Sequence, residues 1–226
     1  MDIHYATLET CPDATGVVVV IDVIRAYTTA AYGLAAGARQ ILLTGTVEEA
    51  LALQAHFPAA LVMGDVNGLR PEGFDFGNSP AALAGLDLTG RTLLQRTSAG
   101  TQGAVRSQRA SALFGGCFAT AAATIRAIRA LAPEAVTLVV TGLRPDDPAE
   151  EDLACADYLA ALLCGETPEP IPYLERARRS EAAQKFFDPA IPNFSSADMD
   201  CCLALDRFDF PLRIERRDGM LVIPKS

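Results

Sequence analysis

The run Val17-Val18-Val19-Val20-Ile21 constrains this chain more than any other stretch. Five consecutive β-branched apolar residues leave no polar face, and their stiff side chains suit a pleated surface better than a helix. Such a run reads as a strand buried on both sides, as in a parallel sheet covered by helices on each face. It ends at Asp22, and a helical pattern follows over 26–36. The alternation then repeats. Gln40–Leu43, Leu61–Met63, Thr92–Gln95 and Val136–Val140 read as strands, and Leu113-Phe114 as a weaker one. Thr46-Val47-Glu48-Glu49 is a capping box that opens a helix to about His56. Further helical stretches run to Arg109 and over about 119–131. Asp147 reads as an N-cap with Pro148 at the first helical position, and Gly165 as the stop after Cys164. The pattern predicts an α/β fold: three layers, α/β/α, around a largely parallel sheet.

After Gly165 the pattern changes. Pro168, Pro170 and Pro172 interrupt regular structure, a charged helix is expected over 174–187, and a short helical stretch over 198–209. Arg213–Ile223, with Asp218-Gly219 at its centre, reads as a terminal hairpin, which makes the sheet mixed. One domain over 1–226 is expected, with a sub-boundary near 165–173.

Composition excludes several classes of function. With 226 residues, half of them hydrophobic, the chain is long and apolar enough for a sizeable core and is not disordered. A net charge of −9 argues against sequence-independent nucleic-acid binding, which needs a basic stripe. No apolar run approaches the roughly 18 residues of a membrane span. The N-terminus Met1-Asp2-Ile3-His4 has no basic region or apolar signal core, so the expected location is cytoplasmic. The six cysteines form no C-x-x-C and lie far from His4 and His56, which argues against zinc and favours reduced cysteines as small core residues. Two histidines so placed also argue against a Ser-His-Asp triad.

Polar residues recur where strands end: Asp22 and Arg25; Asp65; Thr97, Ser98 and Thr101; Thr120; Thr141. In open α/β sheets ligands bind beyond the carboxyl ends of strands. Each residue also has a plain structural reading, since Asp, Ser and Thr after a strand often cap the next helix. Together they would ring one crevice suited to anions. Backbone amides at Gly100-Thr101 and at Thr28-Thr29 would face a phosphate, and Arg25 would grip two of its oxygens. Asp22, Asp65 and Asp152 are hard oxygen ligands suited to Mg²⁺. Neither a G-x-x-x-x-G-K-[ST] loop nor G-x-G-x-x-G is present.

These motifs carry a resemblance. Val20-Ile21-Asp22-Val23-Ile24-Arg25-Ala26-Tyr27-Thr28-Thr29 resembles the "V-D-V-L-R-A-T-T-T" opening of the 2-phosphosulfolactate phosphatase family, and Gly73-Phe74-Asp75-Phe76-Gly77-Asn78-Ser79-Pro80 its "G-F-D-L-G-N-S-P". Thr97-Ser98-Ala99-Gly100-Thr101 stands where that family has "T-T-N-G-T". Glu151-Asp152, about six residues into a late helix, matches its "E-D", and Asp200–Asp206 its C-terminal segment. The resemblance implies a Mg²⁺-dependent phosphatase that converts (R)-2-phospho-3-sulfolactate to sulfolactate and phosphate, a step toward coenzyme M. It implies that Asp22, Asp65 and Asp152 hold metal or orient water, with Asp22, Arg25 and Asp152 catalytic. It also implies that Thr28, Thr29, Asn78, Ser79, Thr97, Ser98, Gly100 and Thr101 hold substrate. The nucleophile is either a water on the metal or Asp22 itself. Gly77 is expected to adopt an unusual backbone angle, and Ser79 and Pro80 to start a helix. The partners expected are a small phosphorylated 2-hydroxy acid, no nucleic acid and no membrane, with a homodimer left open.

Three departures bear on specificity. Ala99 replaces the family's Asn, Asp65 replaces a Glu, and Ala119 stands where an Asn is frequent. Missing amides change the hydrogen bonds a substrate meets. They also suggest a rival reading, a non-catalytic anion-binding member of the family.

Overall fold

The computed structural model describes residues 1–142, 148–188, 191 and 194–225. Its first part runs β1 (Asp2–Thr7), β2 (Gly16–Ile21), α1 (Ala26–Ala35), β3 (Gln40–Leu43), α2 (Val47–His56), β4 (Leu61–Gly64) and α3 (Pro80–Leu83). It continues with β5 (Thr92–Arg96), α4 (Gly100–Arg106), β6 (Ala110–Gly116), α5 (Ala121–Ala130), β7 (Ala135–Val140) and α6 (Glu150–Leu163). The C-terminal part holds α7 (Ile171–Arg178), α8 (Glu181–Gln184), α9 (Ser196–Cys202), β8 (Leu212–Arg217) and β9 (Met220–Pro224).

The strands form one nine-stranded sheet in the order β1-β7-β2-β6-β8-β9-β3-β5-β4. Five pairings are parallel and three, around the β8-β9 hairpin, antiparallel. As its sequence demands, β2 is buried on both faces. Val18 and Val20 enter one core with Tyr27, Ala30 and Leu34 of α1; Val17, Val19 and Ile21 enter another with Ile125 of α5 and Leu159 of α6. Leu42, Val62 and Leu94 face Ala50 of α2 in a third. The three-layer α/β/α fold is therefore present, with α1, α3 and α4 on one face and α2, α5 and α6 on the other. Each fully buried Val or Leu contributes about 1.5–3 kcal/mol.

The inserted hairpin decides where the site lies. Three antiparallel steps reverse the β3-β5-β4 group relative to β1-β7-β2-β6, so their carboxyl ends would leave a flat sheet on opposite edges. β8 turns the corner by changing partner midway: Leu212, Arg213 and Ile214 pair with β6, while Glu215, Arg216 and Arg217 pair with β9. The two groups thereby curl around α1 and α4, and Gln95 of β5 donates to the Ala26 carbonyl across the gap (2.8 Å). The turn itself has the predicted chemistry, with Asp218 (φ 50°) and Gly219 (φ 79°) both left-handed.

Several expectations are corrected. The N-terminal strand β1 is not among the strands the sequence pattern predicts; it is an edge strand, mostly exposed, that exists by pairing with β7. α6 starts at Glu150 rather than at Pro148, after Ala149 in a left-handed conformation, and the proposed cap Asp147 lies outside the described residues. Glu151-Asp152 is therefore in its first turn. The charged helix of 174–187 is two helices: α7 starts earlier, with Pro172 tolerated in its first turn, and Ser180 caps α8 by accepting from Ala183 N. The 198–209 stretch is helical only to Cys202. α7 is tied to α6 by Arg176, which pairs with Glu150 and with Asp157 (2.6 Å), and by Tyr173 against Tyr158. All six cysteines are free, four of them buried. Among the described residues no helix is long and apolar enough to cross a membrane.

α4 reaches β2 only because Gly103 has no side chain: a Cβ would stand 2.5 Å from Val20 Cγ1 and 3.2 Å from Thr141 Cγ2. Gly77 differs from expectation, since its backbone is not left-handed and a Cβ would meet only Arg70 Cβ at 3.7 Å. Gly103→Val is expected to lower stability by about 1–3 kcal/mol, read as a lower urea midpoint at unchanged slope. Gly77→Ala should stay within about 0.5 kcal/mol of the parent. A Gly103→Val midpoint equal to the parent's would remove this close approach as a constraint.

Candidate active site

The site grows from the end of β2. Asp22 follows Ile21 and caps α1, with Oδ1 accepting from Ala26 N (3.0 Å). Its Oδ2 accepts from Gly100 N (2.7 Å) at the start of α4. The structural and functional readings of Asp22 coincide, because the capped carboxylate also lines a cleft of about 280 Å³. Opposite stands Asp65, after β4. Gly64 before it has φ 135°, and a Cβ there would run into the Arg96 carbonyl, so the approach to Asp65 requires glycine. Asp65 Oδ1 accepts from Gly68 N (3.1 Å) and Oδ2 from Asn78 Nδ2 (2.7 Å).

That last bond decides how Asn78 is oriented. A carboxylate can only accept, so the amide nitrogen faces Asp65 and Asn78 Oδ1 is left over. It is buried, on the cleft, and without a partner among the described residues. Asn78 belongs to the Gly-Asn-Ser-Pro turn, whose Ser79 caps α3 by accepting from Ala82 N (3.1 Å) with Pro80 at the helix start. The turn thus aims Asn78 inward and starts a helix outward.

Arg25 is buried and held on every side. Its Nη1 donates to Asp198 Oδ2 at 2.7 Å and its Nη2 to the Gly68 carbonyl at 3.3 Å. The Phe186 and Phe194 rings lie 5.0 and 5.1 Å from the guanidinium carbon. Asp198 Oδ1 accepts from Ser79 Oγ (2.7 Å) and Ala81 N (3.1 Å). Arg25 lines the cleft, yet the fork expected to grip phosphate is occupied by a protein carboxylate and a carbonyl.

The structure separates the remaining expected residues. Ser98 lines the cleft, and its Oγ accepts from Asn67 N (2.7 Å). Ala99 lines it too, and is also the N-cap of α4, with no side-chain cap bond. Gly100 and Thr101 do not offer free amides: Gly100 N is taken by Asp22, and Thr101 N by Thr97 Oγ1 (3.0 Å). Thr97 and Thr101 close on each other, Thr97 N donating to Thr101 Oγ1 (2.9 Å). Thr28 and Thr29 are buried inside α1, and Thr28 donates to the Val23 carbonyl (2.8 Å). Asp152 stands one step behind the cleft. Its Oδ1 accepts from Val23 N (2.8 Å), and its Oδ2 from Gly142 N (3.1 Å) and Thr141 Oγ1 (3.3 Å). The expected three-aspartate ligand set is not assembled: among the described residues no three carboxylate, histidine or cysteine side chains converge. Asp152 does not line the cleft; its oxygens tie Val23, after β2, to Thr141 and Gly142, after β7.

Burial raises the Asp22 carboxyl to about 6; the Ala26 amide opposes this, the Asp65 charge adds to it, and the Gly100 amide and Arg25 pull it back. Burial, with the Glu151 and Asp22 charges, pushes Asp152 well above the usual range. Sequence reasoning missed Ile24, Asn67, Gly68, Gly142, Ala182, Lys185, Phe186, Phe194 and Asp198. The last five come from the C-terminal segment, from α8 to α9, 30 or more residues beyond Asp152, and no spacing rule points to them.

Residues 4–197 match the family model described as 2-phosphosulpholactate phosphatase. A Bacillus subtilis protein named "Probable 2-phosphosulfolactate phosphatase" is 34% identical, over 89% of this chain and 87% of its own. One of that name from Carboxydothermus hydrogenoformans is 31% identical, over 92% and 90%. Another from Deinococcus radiodurans is 38% identical over 71% of this chain and 65% of its own. The matched span holds both cleft aspartates, Asn78 and the Gly-Asn-Ser-Pro turn, and it ends one residue before Asp198. With a family match over most of its length and relatives above 30% identity across nine-tenths of it, the chain belongs to the 2-phosphosulpholactate phosphatase family.

Proposed function

We propose that this protein is a Mg²⁺-dependent phosphatase that hydrolyses the phosphate ester of a small 2-hydroxy acid, 2-phospho-3-sulfolactate, to 3-sulfolactate and phosphate. Family membership supports the reaction. The observation that carries it is the pair Asp22 and Asp65, brought from two strand groups to one cleft beside the unpartnered Asn78 Oδ1.

The donor set fits magnesium. Two carboxylates and an amide oxygen are hard ligands, and magnesium is held by one or two carboxylates with waters and substrate phosphate completing its shell. Asp22, Asp65 and Asn78 would hold it. When bound, such an ion supplies charge neutralisation to the phosphoryl oxygens and their leaving group.

The chain's own residues supply the rest. Ser98 Oγ accepts from Asn67 N, which leaves its hydrogen free to donate to a phosphoryl oxygen. Both Asp22 oxygens are fixed by backbone amides, which hold the carboxylate in one orientation on the cleft. These features favour Asp22 as the base that orients an attacking water, rather than as a covalent phosphate acceptor. Water oxygen bonds to phosphorus, the ester P–O bond breaks, and the proton taken by Asp22 passes to the departing alkoxide. Arg25 holds its loop and the Gly68 carbonyl in place, while Asp152 does the same for Val23 and Gly142.

Phosphate release from a panel of monoesters, with and without Mg²⁺, tests this reading; no release from any ester would end it. Asp22→Asn should fold and lose activity by about 100-fold or more, the usual size of a general-base contribution. Wild-type turnover by this variant at saturating Mg²⁺ would reduce Asp22 to a cap.

In the metal-free protein the raised Asp22 carboxyl makes the folded state bind a proton that the unfolded chain releases. The stability it contributes is present at low pH and lost as pH rises through about 6. With chelator present, the parent should therefore lose stability relative to Asp22→Asn across that interval, read from thermal midpoints. Parallel pH profiles for the two proteins would show that Asp22 titrates normally.

A further inference from the structure

The cleft has two unlike walls. One, from the strand ends, carries the carboxylates Asp22 and Asp65; the other, from the C-terminal segment, presents Ala182, Lys185, Phe186 and Phe194. Among the described residues lining it, the cations are Arg25 and Lys185. Arg25 is neutralised by Asp198, with its Nη2 given to Gly68. Lys185 sits on the turn of 185–187, exposed at the mouth, with no hydrogen bond or ion pair among the described residues. Its neighbour Phe186 packs on Arg25, which fixes the backbone from which Lys185 reaches.

A phosphorylated 2-hydroxy acid carries negative charge at both ends. Its phosphate belongs with the cation that Asp22, Asp65 and Asn78 would hold. Its other acid groups are repelled by those same carboxylates and must settle on the opposite wall. Among the described residues the uncommitted positive charge there is Lys185, and an ammonium on a flexible stem pairs with a carboxylate or a tetrahedral sulfonate without demanding a planar fork. We propose that Lys185 determines specificity by pairing with the non-phosphate acid group of the substrate, opposite the phosphate end. The assignment rests on the phosphatase reading only for which end of the cleft takes phosphate.

The test is titration calorimetry with Mg²⁺ present, using 3-sulfolactate and, separately, inorganic phosphate, on the parent, Lys185→Ala and Lys185→Arg. Equal thermal midpoints would show that the variants fold alike. The expected result is a loss of about tenfold in sulfolactate affinity for Lys185→Ala, the scale of a charge-assisted hydrogen bond. Phosphate affinity should stay within about twofold, and Lys185→Arg should keep most of the affinity because it keeps the charge. Sulfolactate binding that is unchanged in Lys185→Ala, absent in the parent, or lost in step with phosphate binding would overturn the assignment. The two readings separate cleanly. Lys185-dependent sulfolactate binding in a protein that hydrolyses no ester would sink the phosphatase reading and keep this one. Hydrolysis of 2-phosphosulfolactate with the same KM in parent and Lys185→Ala would do the reverse.

Discussion

The buried ion pair between Arg25 and Asp198 holds the two walls of the cleft together. Its partners are 173 residues apart in sequence and 2.7 Å apart in space. Removing two charges from water costs several kcal/mol each, and the pair is tolerable only if every remaining donor and acceptor is satisfied. That condition is met closely. Asp198 accepts from Arg25, Ser79 Oγ and Ala81 N; Arg25 also donates to Gly68 and packs against two phenyl rings. The pair therefore does more than join two side chains. It pins the Gly-Asn-Ser-Pro turn, the loop after β4 and α9 to the end of β2, and breaking such a pair by removing one partner costs about 3–5 kcal/mol.

A second constraint is electrostatic. Asp22 and Asp65 face one cleft; burial raises the cost of ionising Asp22, and the Asp65 charge adds to it. Backbone amides compensate in part: Ala26 and Gly100 on Asp22, Gly68 on Asp65. The remaining excess of negative charge makes the cleft hostile to a bare anion and receptive to a divalent cation. This is the physical reason to prefer an enzyme over a passive anion binder, even though Ala99 and Ala119 stand where the motif resemblance implies amides. Of these two, Ala99 is on the cleft and Ala119 is buried, so only the first lies where a substrate would meet it.

Much of the site was legible from the chain. An Asp directly after the most apolar strand stands at the carboxyl end of a central strand, where the sheet opens to a ligand. The Gly-Asn-Ser-Pro turn was readable as a helix start, and Ser79 caps α3 as such a turn should. The threonines stand where the pattern predicts, with local backbone partners in place of a ligand. Thr97 and Thr101 satisfy each other's amides, and Thr28 bonds the backbone at Val23, because a hydroxyl near a helix start finds a local partner before a ligand does. Asp152 was legible as buried acid chemistry but not as a support, since its partners Val23 and Gly142 are close only in the folded chain.

What the sequence by itself determined is local and periodic. β-Branched runs made strands, capping residues started α2 and α3, and Asp218-Gly219 made the hairpin; each follows from sterics and hydrogen bonds within a few residues. What only the tertiary structure decided is which strand ends meet. β8 changes partner midway, the sheet curls, and Asp65 comes to face Asp22 although their strands belong to groups of opposite sense. The same holds for the wall of Lys185, Phe186, Phe194 and Asp198, which no local rule connects to residues 22–25. Its place is set by the burial of one charge against another, and that energy exists only once the distant segments have closed water out.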